Sequence, residues 1–111
     1  MTLPRITNQT RELVLGVVQR VELLKGILRP RSRAPTQRAV VVSLLRGFRT
    51  PPEIAKDLGV SVNAVNIALH HLHRRGLVRK VGRGIYEADM DLLLLALLGL
   101  VDEIRDRRMR R

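Results

Sequence analysis

The chain has 111 residues, room for one domain around one modest core. It contains no cysteine, which excludes disulfide frameworks, thiolate metal sites and cysteine nucleophiles. Twenty-one basic residues against ten acidic ones give a formal charge of +11, which draws a protein to polyanions; Phe48 and Tyr86, its only Phe, Tyr or Trp residues, argue against a single-strand binder that stacks bases on rings.

Three zones follow in chain order, at residues 1–35, 36–88 and 89–111. Their basic and acidic counts are seven against two, nine against three and five against five. The positive charge therefore sits in the first two zones, and the third is balanced and apolar. In the first zone, after a short leader with no apolar signal-peptide core, Val14, Val17, Val21, Leu24 and Leu28 recur every three or four residues. That period predicts a helix over 10–28, with Thr7, Asn8 or Thr10 as its cap. The stripe stops at Arg29-Pro30-Arg31-Ser32-Arg33-Ala34-Pro35, a linker that reads either as a solvated connector or as an arm lying on phosphates.

In the second zone Thr36 is the expected cap of a helix through Val40, Val41, Leu44 and Leu45 that stops at Gly47. Phe48-Arg49 reads as a short extended segment. Thr50-Pro51-Pro52-Glu53 then spells a capping box, in which Thr50 accepts from the Glu53 amide and Glu53 reaches back to the Thr50 amide. Pro51 suits the first helical position, where a missing amide costs nothing. This short helix ends at Asp57-Leu58-Gly59. Ser61 caps a second helix that runs to about Arg75, with Val65, Leu69 and Leu72 on its inner face. Leu77–Val81 and Ile85–Ala88 read as two strands joined by the three-residue loop Gly82-Arg83-Gly84, with glycines where φ must be positive.

The stretch TPPEIAKDLGVSVNAVNIALHHLHRRGLVRKVGRGIYE resembles winged-helix transcription regulators. The broad groups it is similar to are the MarR-like and ArsR-like families and the small archaeal winged-helix dimers. The resemblance covers about half the chain, residues 36–88. It implies a mostly α fold with a small antiparallel β-hairpin, a winged helix-turn-helix flanked by N- and C-terminal dimerisation helices. It also implies a DNA-binding domain whose helix at 61–75 enters the major groove while the wing at 77–88 lies on the backbone or in the minor groove. Outward residues at the start of that helix are Ser61, Val62, Asn63, Asn66, Ile67 and His70. Asparagine pairs bidentately with adenine, so Asn63 and Asn66 are candidate base readers, and Val62 and Ile67 candidate contacts to thymine methyls. The plain alternative for each asparagine is a solvated polar side chain. Arg74, Arg75, Arg79 and Lys80 are candidate phosphate contacts. Arg83 at the wing tip suits the minor groove, and Arg49 with Thr50 a phosphate at a helix start.

His70 and His73 stand three apart, a spacing that can hold a metal, but no carboxylate or thiol lies near in sequence to complete a site; no metal and no cofactor is expected. No phosphate loop, Gly-x-Ser-x-Gly elbow or His-Glu-x-x-His occurs, so no catalytic residue is expected either. The cysteine motif of ArsR-like metal sensors is missing.

In the third zone Asp89 or Asp91 is the expected cap of a last helix. Met90, Leu94, Leu97, Val101 and Ile104 alternate in steps of four and three, like a coiled-coil seam. The apolar run Leu92–Val101 makes about 15 Å of helix, half a bilayer's hydrocarbon thickness, so no membrane partner is expected. A helix apolar around most of its girth needs a cover. The expected cover is a second copy, with Val14, Val17, Val21, Leu24, Leu94, Leu97, Val101 and Ile104 at the dimer interface; the plain alternative folds both helices back onto their own domain. The reading in full is a homodimeric transcription regulator that binds double-stranded DNA, cytoplasmic and nucleoid-associated. An architectural protein of low sequence specificity and a winged-helix protein-interaction module are the alternatives.

Overall fold

The computed structural model describes residues 7–109; the leader and the last two arginines lie outside the described residues. Among the described residues there are five helices and one two-stranded antiparallel hairpin, so the fold is mostly α as expected. The first helix, α1 (Asn8–Leu28), starts at Thr7, whose hydroxyl accepts from the Thr10 amide at 3.2 Å. The next, α2 (Pro35–Leu45), starts two residues earlier than the sequence suggests. Pro35 takes the first turn, Ala34 stands at the cap without a side-chain bond, and Thr36 lies inside the helix. Proline's fixed φ already suits that turn, so no hydroxyl cap is required.

Two shorter helices follow, α3 (Pro51–Leu58) and α4 (Val62–Arg74). Thr50 caps α3 by accepting from the Glu53 amide at 3.4 Å. The return bond differs from the expected box: the Glu53 carboxylate accepts from the Arg49 amide at 3.3 Å, one residue before Thr50. Gly59 takes φ 68° and ψ 34°, the left-handed conformation that a Cβ disfavours, and the chain turns there into α4. Ser61 caps α4 by accepting from the Ala64 amide at 3.1 Å.

The hairpin joins β1 (Val78–Gly82) to β2 (Ile85–Ala88). Its loop is tighter than the expected three residues. Gly82 pairs with Ile85 across a register shift after Lys80, so only Arg83 and Gly84 turn the chain. Of the two glycines, only Gly84 has positive φ, at 69°. The Tyr86 amide donates to the Arg49 carbonyl at 2.8 Å, so the extended Phe48-Arg49 segment is pinned to β2. The last helix, α5 (Met90–Met109), is capped by Asp89, which accepts from the Leu92 amide at 3.2 Å.

One buried cluster draws on all three zones. Val40, Val41 and Leu44 of α2 meet Ile54 of α3, and Val65, Leu69 and Leu72 of α4. Leu77 and Val78 close one side; Leu24 and Ile27 of α1 and Leu92, Leu93 and Ala96 of α5 join the same cluster. The flanking helices thus do pack on their own domain, each with part of its surface. Inside the core, Ser43 is fully buried and donates to Asp57 at 2.8 Å, which joins α2 to α3 and satisfies the hydroxyl.

Helices α1 and α5 are also clamped by charge. Lys25 Nζ lies 2.7 Å from Glu103, and Arg29 approaches both Glu103 oxygens at 2.9 and 3.1 Å. The lysine stem lies across Gly99, where a Cβ would meet it at 3.2 Å. The Lys25 hydrogen bond, then that of Arg29, holds the Glu103 carboxyl below the usual carboxylate range. The same Glu103 bond raises Lys25 against the desolvation that burial imposes. A depressed carboxyl stabilises the fold above its ordinary value, about 4.3, and the contribution disappears as pH falls through the folded value. A raised lysine stabilises fully below about 10.4 and is lost as pH rises beyond its folded value. Glu103→Gln is therefore expected to lower the melting temperature at neutral pH, with the gap to the parent closing toward acid. Melting curves from pH 3 to 8 check this; a constant gap would refute it.

Candidate nucleic-acid interface

The buried face of α4 carries Val65, Ala68, Leu69 and Leu72. A helical period of 3.6 then sends Val62, Asn63, Asn66, Ile67 and His70 to the opposite face, and all five are exposed. Val62 and Ile67 leave 43% and 52% of their surface open, unusual for apolar residues within a well-packed helix pair. The face is thus polar and apolar in alternation, with two amides, an imidazole and two branched side chains on one helix. Ser61 and Thr50 both act as caps. Their oxygens are engaged with amides, which leaves a hydroxyl proton on each to donate outward.

Exposed cations accompany this face along the chain. Arg74 follows at the end of α4, Arg79 and Lys80 stand on β1, Arg83 on the hairpin loop and Arg49 before α3; all five are exposed. Among the described residues every salt bridge is made by Lys25, Arg29 or Arg46, so none uses these five. The Lys80 ammonium lies 5.9 Å from the centre of the Tyr86 ring, and His73 meets the same ring edge-on at 6.5 Å between centroids. That stack joins the hairpin to the end of α4. Lys56 is exposed on α3 and shares a depression with Phe48, Glu53 and Asp57.

Sequence reasoning passed over Val81 and Ile85, which leave 49% and 38% of their surface open at the hairpin end. Strand alternation carries the signal for Val81: counting from buried Val78, it falls on the opposite face. In the linker, Arg29 is held by Glu103, and the Arg38 Nε donates to the Leu28 carbonyl at 3.1 Å, so the segment is anchored at its start. Of the proposed interface residues, Val14, Leu94, Leu97, Val101 and Ile104 are exposed, while Val17 and Val21 are half-buried. Leu24 corrects the expectation: with 1% of its surface open it belongs to the chain's own core and has nothing left to offer a partner.

Among the described residues no three His, Asp or Glu side chains converge as metal ligands, and no helix is long and apolar enough to cross a membrane. Compared with known proteins, the chain matches no family model, no curated protein and no solved structure.

Proposed function

We propose that residues 36–88 form a winged helix-turn-helix and that the chain binds double-stranded DNA as a homodimeric transcription regulator in the cytoplasm, associated with the nucleoid. In this reading α4 is the recognition helix and the β1–β2 hairpin is the wing. The observation that carries it is the outward face of α4: two asparagines flanked by exposed apolar residues, on the same 36–88 segment as five exposed cations that, among the described residues, make no salt bridge. Asparagine amides match the donor and acceptor pair of adenine, and branched side chains match thymine methyls. The cations supply the sequence-independent attraction to phosphates. The order of elements supports it as well, since two helices joined at Gly59 lead into a basic hairpin. The reading includes no enzymatic activity.

The test is selection from a random-sequence duplex pool at low and near-physiological salt. The expected result is enrichment of a pseudo-palindrome whose half-sites lie about one helical turn apart and which stays bound at the higher salt. Binding without a motif that collapses as salt rises assigns an architectural role instead. Absence of binding at both salts refutes the DNA reading and favours a protein-interaction module.

A further inference from the structure

The apolar stripe of α1 divides into two halves. Its second half, at Leu24 and Ile27, is buried in the core. Its first half continues the same stripe past the end of that core: every residue from Thr7 to Leu15 is exposed, and Leu13 leaves 71% of its surface open. The turns Asn8–Leu15 therefore extend about 12 Å with no cover from the other described residues. On α5 the inner face is Leu92, Leu93 and Ala96, while the seam Met90, Leu94, Leu97, Val101 and Ile104 stays open.

The size of the uncovered surface indicates what covers it. The chain's radius of gyration is 16.4 Å, where a compact chain of this length has about 13 Å. Its accessible surface is 8663 Å², where a compact monomer of 12.6 kDa shows about 6,200 Å². The difference exceeds the roughly 800 Å² that each partner contributes to a standard interface. Charge at the edges fits as well. Arg11 stands beside Val14 and Leu15 on α1, whereas Asp91 and Asp102 flank the seam of α5; all three are exposed and, among the described residues, outside any ion pair.

We infer that the free turns of α1, Asn8–Leu15, dock on the outer seam of α5 of a second copy of this chain, and that the partner's α1 returns the contact. Each copy then covers the other's seam, as a two-fold axis requires. The arrangement deepens the homodimer half of the function above and rests on it, but it can be tested with no DNA present.

The absence of cysteine gives a clean background. Chains carrying Val14→Cys are refolded together with chains carrying Leu94→Cys or Val101→Cys, distinguished by mass, and treated with a short bismaleimide. Both ends of the seam are sampled, and all three positions are exposed in the single chain, so the substitutions leave its core untouched. The expected result is a mixed crosslink between Val14→Cys and at least one of the α5 variants. Sedimentation of the parent chain at twice the mass of one chain, unchanged in 1 M salt, is expected beside it. A dimer that yields no mixed crosslink with either variant overturns the reciprocal docking. A monomer at tens of micromolar overturns the second copy as occupant, and neither result touches the DNA reading.

Discussion

Replacing Leu69 by alanine is expected to destabilise the fold by about 2–5 kcal/mol. Leu69 has no open surface and lies on the inner face of α4, in the cluster where α2, α3 and α4 meet. The neighbours that would have to move into the space, Val40, Ile54, Val65 and Leu72, are themselves fully buried, and each is held by its own helix. Partial collapse is therefore poor, which puts the cost toward the upper part of that range. A domain of this size is stable by only about 5–15 kcal/mol, so the variant loses a large share of its margin. Urea or thermal unfolding checks it: a fall of at least 10 °C in Tm is expected, from about 3–8 °C per kcal/mol. A change of one or two degrees would mean that the α2–α3–α4 contact does not form as described.

The second large effect is on binding. On the sequence enriched by selection, Asn63→Ala and Asn66→Ala are each expected to weaken the complex about 5- to 150-fold, the loss of 1–3 kcal/mol of base reading. Both side chains are exposed on α4, so neither substitution should move Tm appreciably. The dependence on salt should stay unchanged, because no phosphate contact is removed. Arg79→Ala on β1 should act in the opposite way, reducing the salt slope by about one and weakening all sequences alike. If the asparagine variants bind every sequence as the parent does, α4 is not the reading helix and the architectural account gains.

Local rules made much of the fold readable. Thr50, Ser61 and Asp89 all cap the helices they precede, because a cap needs only a short acceptor at the right offset. The outward set on α4 followed from its inner leucines by periodicity alone. Apart from Thr36, which Pro35 displaced from the cap of α2, the failures lie where the answer depended on a second partner. Glu53 chose the Arg49 amide over that of Thr50, which depends on how Phe48-Arg49 is pinned to β2. Gly82 was drawn into the strand by Ile85, a matter of pairing register that composition does not set. Leu24 shares its stripe with Val14, and no period says where along the helix the core ends. Nor does the sequence say which arginines are free. Arg29 meets Glu103 from 74 residues away, and only the packing of α1 on α5 brings them together.

The division of α1 also has a mechanical consequence. A helix of 21 residues is a stiff rod about 32 Å long, and this one is held at one end only. Its Arg20 side chain passes so close to Gly76 that a Cβ there would lie 3.1 Å from the arginine Cδ. Gly76 is the residue at which the chain leaves α4. The rod therefore has a fulcrum at the exit of the helix that carries Asn63 and Asn66, with Leu24 and Lys25 fixed on the far side. In the proposed dimer, where a second copy bears on that end, the tilt of each rod is expected to set the spacing of the two α4 helices.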